Sequence, residues 1–174
     1  MLGPFHTHDA PTLELGSSMS ADPAGEPLLC ICTVRDTAGR PVSGVTVDIW
    51  ETDSSGHYDV QHDGRTEPSE RCVMVSDDQG RFWFKGIRPV SYPIPHDGPV
   101  GKLLERLGRH CWRPAHLHFM FGKEGWDRLI TYVTLHPLYP FGSLSLLRSN
   151  GASGKTVPSI CAETRTRRRT PSSA

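Results

Sequence analysis

Short runs in which apolar residues alternate with polar ones, separated by turn signals, dominate the first 135 residues. Val45, Val47 and Ile49 alternate with Thr46, Asp48 and Trp50, the period-two pattern of a strand with one face buried. Pro27 to Val34 is apolar and β-branched, Arg81-Phe82-Trp83-Phe84-Lys85 is aromatic, and His116 to Met120 and Leu129 to Leu135 make two more strand signals. Asp36-Thr37-Ala38-Gly39-Arg40-Pro41 and Asp77-Asp78-Gln79-Gly80 are turns. About six short strands spaced by turns predict a mainly β fold, a β-sandwich. One helix is predicted, over Val100 to Leu107, with Asp97 as N-cap. Residues 1–27 read as an extended arm rich in Pro, Gly, Ser and His. Residues 148–174 lack apolar periodicity and are expected to be a disordered basic tail, which leaves residues 1–147 as one domain.

Composition sharpens that picture in three places. The 174 residues are enough for one domain with a sizeable core, and 17 Gly with 15 Pro fit a turn-rich chain. The net charge is zero, but residues 148–174 carry +5 and residues 1–147 carry −5, so the basic excess belongs to the tail and no nucleic-acid-binding domain is indicated. The five Cys show no zinc-type spacing, and Cys30 and Cys32 share one strand face, as buried reduced thiols would. No signal peptide and no apolar stretch near the ~20 residues of a membrane span can be read, so a cytoplasmic protein is expected, without membrane partners.

Four residues carry the candidate chemistry. His116 and His118 stand at i and i+2 in Arg113-Pro114-Ala115-His116-Leu117-His118-Phe119. In a strand both rings project from one face, about 7 Å apart along the chain, and can share one ion. Alone, an H-x-H is more often structural. Arg113 precedes a proline, which pushes it to extended geometry and aims it at the same mouth; taken singly it is an ordinary surface cation. Tyr58 lies in Trp50-Glu51-Thr52-Asp53-Ser54-Ser55-Gly56-His57-Tyr58, and Tyr92 opens Tyr92-Pro93-Ile94-Pro95-His96-Asp97-Gly98-Pro99. Either tyrosine alone suits packing at a rim. The prolines around Tyr92 hold its segment rigid. A set of two phenols and two imidazoles is unusual, because a phenol pKa near ~10 resists the deprotonation that ligation requires, and a hard, highly charged ion such as Fe(III) overcomes that resistance.

The order and context of these motifs resemble those of the intradiol ring-cleavage dioxygenases, most of all the hydroxyquinol and catechol branch, from Leu2 to about Thr131. The resemblance implies the prealbumin-like β-sandwich of the family's catalytic domain. It implies a mononuclear non-haem Fe(III) held by Tyr58, Tyr92, His116 and His118. It also implies cleavage of a small aromatic diol by dioxygen between the two hydroxylated carbons, in aromatic compound catabolism. Tyr92 matches the tyrosinate that the substrate displaces and that takes up a proton as base; Arg113 matches the arginine that stabilises developing negative charge. Leu2, Gly3, Pro4 and Phe5 match the segment lining the ring pocket, and His6, where catechol enzymes commonly have tyrosine, leans toward the hydroxyquinol branch. Tyr132 falls near the position of a glutamine found beside the iron in many catechol enzymes and is assigned no role.

The chain departs from the family at both ends. The N-terminal helical region that makes the family's dimer has no counterpart before Leu2, so that dimer is not expected here. After Leu129-Ile130-Thr131 the family's Gly-Asp-Pro-Tyr turn and terminal strand are replaced by Tyr132-Val133-Thr134-Leu135-His136-Pro137, which reads like a shifted frame and predicts the loss of one strand and one pocket wall. The alternative is an inactive truncated fragment or a metal-free binding module of the same sandwich class, since Gly39 to Val45 followed by Asp78 to Phe82 also resembles prealbumin-type and carboxypeptidase-regulatory-type sandwiches. Structural zinc is disfavoured because no Cys neighbours the histidines. A two-His-one-carboxylate triad is disfavoured because His118 stands where the acid would be.

Overall fold

The structure is a computed structural model that describes residues 2–36 and 38–134, with the backbone of residues 161–162 and 165–166. Two antiparallel sheets pack face to face. The first has the order β3-β2-β7-β8, from β2 (Thr46–Trp50), β3 (Arg71–Val75), β7 (His116–Gly122) and β8 (Leu129–Thr134). The second pairs β1 (Pro27–Arg35) with β4 (Arg81–Ile87). A short ribbon joins β5 (Tyr92–Pro93) to β6 (Trp112–Arg113). The predicted strands are all present, and β3, β5 and β6 are additional. The core fills the space between the sheets. Cys30, Cys32, Val34, Phe82 and Phe84 from one sheet meet Val47, Ile49, Cys72, Met74, Phe119 and Phe121 from the other. Cys30, Cys32 and Cys72 are buried and carry no disulfide, as free thiols acting as small hydrophobes do.

The N-terminal arm is extended, as expected, and it covers two sheet edges. Leu13 N–H donates to Val73 O at 2.9 Å and Val73 N–H to Pro11 O at 2.8 Å, which closes the free side of β3. Gly16 N–H donates to Trp83 O at 2.7 Å and Lys85 N–H to Ser17 O at 2.9 Å, which does the same for β4. Edge strands left open are templates for aggregation, so the arm protects the sandwich as well as reaching the pocket.

Two expectations change. The helix, α1, spans Pro99–Arg106 and its N-cap is Gly98 rather than Asp97, with no side-chain cap bond. Proline has no amide hydrogen and occupies the first helical position, which makes the residue before it the cap. The tail expectation over residues 148–174 lies outside the described residues, apart from Cys161–Ala162 (β9) and Arg165–Thr166 (β10), whose backbones pair with β1. Of the divergence expected after Thr131, Tyr132, Val133 and Thr134 complete β8 against β7, and the expected loss of a later strand and pocket wall lies outside the described residues. Among the described residues no helix is long and apolar enough to cross a membrane.

Candidate metal centre

The site stands on the outer face of the first sheet, opposite the core. Strand alternation that buries Val47, Ile49, Leu117 and Phe119 between the sheets necessarily sends Trp50, His116 and His118 outward. Register aligns a row across all four strands, Arg71 beside Trp50, Trp50 beside His118, and His118 beside Tyr132. Such directly opposed residues are the pairs that touch across a sheet. Trp50 lies flat against His118, ring centroids 4.8 Å apart and 1° from parallel. Tyr132 packs edge-on against His116 at 5.5 Å. The loops then fold over this face and build a second small cluster of Trp50, Tyr58 and Tyr92, with Leu2, Phe5 and Ile94 against it.

All four candidate ligands converge. Tyr58 Oη and Tyr92 Oη are 3.1 Å apart, His118 Nε2 is 3.1 Å from Tyr58 Oη, and His116 Nε2 is 3.0 Å from His118 Nε2. Each of the four residues is at most 5% exposed. His116 Nδ1–H donates to Pro114 O at 2.7 Å. A carbonyl only accepts, so the proton sits on Nδ1 and Nε2 turns its lone pair toward the cluster. Burial, outweighing the Pro114 contact, pulls His116 down to about 4, and burial with the charges of His116 and Arg113 pulls His118 down to about 3. Both rings are therefore neutral and able to ligate near neutral pH. Burial and the hydrogen bond from Tyr92 hold the Tyr58 phenol above its ordinary value. The four polar ends are buried and hydrogen-bond to one another, so donor atoms of two residue types are gathered at one spot away from water.

A cation fits that arrangement. Neighbouring donors about 3 Å apart are what ligand bonds of ~2 Å to one ion require. Two phenol oxygens favour a hard, high-valent ion. Among the described residues no group of three or more His, Cys, Asp and Glu side chains is placed to hold a metal.

The other predicted residues gather around the set. Arg113 Nη1 donates to Tyr92 Oη at 3.3 Å, and the guanidinium lies 5.9 Å from the Tyr92 ring and 6.0 Å from the Tyr132 ring. Phe5 stacks on Tyr58 at 4.5 Å and Leu2 packs beside it, while Gly3 and Pro4 are exposed. His6 Nε2 meets Asp48 Oδ2 at 2.7 Å and stands edge-on to Trp50, behind the Trp50–His118 stack. Sequence reasoning gave no role to three residues that build the site: Trp50, Tyr132 and Arg71. The signal for the first two is strand register, which a single sequence does not number. Arg71 carries no sequence signal of its own; its role comes from burial and its pairing with Asp59.

The chain is 67% identical over 135 residues to the intradiol ring-cleavage dioxygenase hqdA of Aspergillus niger, covering 78% of this chain and 41% of that one. A family model described as Dioxygenase matches residues 1–141, a span that contains all four convergent side chains. The chain belongs to the intradiol ring-cleavage dioxygenase family. The hydroxyquinol 1,2-dioxygenase of a Rhizobium species is 44% identical over 134 residues, 76% of this chain and 45% of that protein. Among solved structures, the hydroxyquinol 1,2-dioxygenase of Pseudomonas putida superposes with a TM-score of 0.69 at 38% identity, covering 77% of this chain and 46% of that one. The catechol 1,2-dioxygenase of Acinetobacter radioresistens superposes with a TM-score of 0.70 at 28% identity, covering 76% and 44%. The chain spans less than half the length of each of these four relatives.

Proposed function

We propose that this protein, through a domain of residues 1–147, binds one non-haem Fe(III) through Tyr58, Tyr92, His116 and His118. We propose further that it cleaves hydroxyquinol-type aromatic diols with dioxygen between the two hydroxylated carbons. The observation that carries the reading is the convergence of two phenol oxygens and two imidazole nitrogens, each within 3.0–3.1 Å of the next, on one buried spot. The choice of hydroxyquinol over catechol rests on relatives. The named hydroxyquinol 1,2-dioxygenases run from 41% to 45% identity, while the catechol 1,2-dioxygenase of Candida albicans is 38% identical.

Bound at this spot, a ferric ion would acidify the diol hydroxyls and draw electron density from the ring, which readies it for dioxygen. The protein's own groups do the rest. Tyr92, buried beside Arg113, would as the tyrosinate of the loaded site take a proton from the incoming diol and become a neutral phenol. Arg113 stands within reach of the same oxygen and faces the negative charge that develops on the substrate. Phe5 and Leu2 supply an apolar wall over Tyr58 that orients a ring and keeps water from it. His116 is fixed by its bond to Pro114, and His118 by the flat face of Trp50, so neither ring reorients when the substrate enters.

Turnover of hydroxyquinol and of catechol by the iron-loaded chain, with the product identified, tests the proposal. A ring-opened maleylacetate-type product from hydroxyquinol is expected. An iron-replete chain that consumes neither diol would reduce the reading to that of a metal-binding sandwich.

A further inference from the structure

The second tyrosine of the pair is seated by the turn that carries the first. Tyr58 follows a turn in which Asp53 N–H donates to His57 O at 2.8 Å and Gly56 N–H to Asp53 O at 3.0 Å. Asp53 Oδ1 accepts from Ser55 N–H at 2.9 Å, Ser55 Oγ at 2.7 Å and His57 N–H at 3.0 Å, while Asp53 Oδ2 meets His62 Nε2 at 2.6 Å. Both the backbone of the turn and its aspartate are thus committed to hydrogen bonds that hold its shape. At its tip Gly56 is buried with φ +84°, and a Cβ there would stand 2.9 Å from Tyr92 Cβ, 3.7 Å from Tyr92 Cα and 3.9 Å from Ser91 O.

That contact cannot be relieved by rotating a side chain, because Tyr92 Cβ moves only with its backbone. The backbone is itself held. Pro93 fixes the next dihedral, Ser91 Oγ donates to Arg113 O at 2.6 Å, and Ile94 N–H donates to Cys111 O at 3.0 Å. An atom added at Gly56 therefore displaces Tyr92, the Tyr58 turn, or both.

We propose that Gly56 is a positioning residue. Its bare Cα lets the Asp53–Tyr58 turn press against Tyr92, and that contact sets the 3.1 Å spacing of the two tyrosine oxygens. The inference rests on the reading of these tyrosines as paired ligands, but the packing it describes exists without the ion.

Gly56→Ala tests it, with Gly64→Ala as control. Gly64 also has a positive φ, +73°, but nothing lies within 4 Å of its absent Cβ, so only Gly56→Ala adds the contact to the shared backbone strain. In the iron-free chain with ring-labelled tyrosine, the Tyr92 resonance should move in Gly56→Ala and stay in place in Gly64→Ala. In the iron-loaded chain the visible tyrosinate band should shift or weaken in Gly56→Ala alone, with turnover down about a hundredfold, the scale of an ångström's misplacement. Should Gly56→Ala not fold, Asp53→Ala loosens the same turn without adding an atom, and should also move Tyr92. An unmoved Tyr92 resonance in every folded variant of this turn overturns the inference. A wild-type chain that takes up no iron would instead sink the ligand reading, and the iron-free resonances would still decide the role of Gly56.

Discussion

At the scale of single residues, Arg113 has the most readable position. Its guanidinium sits between the rings of Tyr92 and Tyr132 and donates to the Tyr92 oxygen, so it borders the four-donor set without belonging to it. Removing it should leave metal binding intact and weaken only the stabilisation of charge during reaction. A preorganised donor of this type contributes about 3 kcal/mol, or roughly a hundredfold in rate. Arg113→Leu is therefore expected to keep its iron and lose about that factor in kcat. An unchanged kcat would return Arg113 to the role of a surface cation. Tyr132 is 39% exposed although its ring touches His116, so it forms the open side of the site.

At the scale of elements, one buried ion pair ties the arm to the turn after Tyr58. Arg71 and Asp59 are 2% and 3% exposed and pair through both guanidinium nitrogens that face the carboxylate. Arg71 Nη1 also donates to Thr7 Oγ1 at 2.6 Å, and Nη2 to Phe5 O at 3.2 Å, while Arg65 bridges Asp59 to Asp9. The backbone of Phe5, whose ring stacks on Tyr58, thus hangs on Arg71. Breaking such a pair from one side leaves a buried charge unpaired and costs about 3–5 kcal/mol. Asp59→Ala should lower stability by that much in denaturant titration and expose residues 2–9 to proteolysis; a loss below ~1 kcal/mol would mean the pair is not the anchor. Much of this architecture was legible beforehand. Alternation at Val45 to Trp50 and the Asp-led turns at 36 and 77 gave the strands and their faces. The strand Arg71–Val75 was not foreseen, because it opens on a charged residue and follows a polar stretch without a hairpin signal. The ribbon at Tyr92 was hidden by its prolines, which argue against a strand. The four site residues were readable only jointly and in order, while the contacts of Trp50, Arg71 and Tyr132 depend on register.

At the scale of the whole molecule, the sandwich uses its two faces differently, with an apolar core between the sheets and a loop-covered site outside the first one. Near that site two acids resist ionisation. Burial and the nearby Glu70 push Glu51 well above the carboxylate range, and burial raises Glu70 to about 7. A carboxyl whose value is raised on folding contributes stability that is full below its unfolded value of 4.5 and is lost as pH climbs through about 7. Glu70→Gln should match the parent at pH 4 and melt higher than it at pH 8, with the gap opening between those values; equal melting at both would refute the assignment. The central claim is that Tyr58, Tyr92, His116 and His118 together hold one ferric ion. Its most direct test is iron content and visible absorption of the loaded wild type beside Tyr58→Phe, His116→Ala and His118→Ala. One red-brown iron per chain is expected, with a shifted or absent band in Tyr58→Phe and loss of iron in both histidine variants. Stoichiometric iron retained by both histidine variants would contradict that claim.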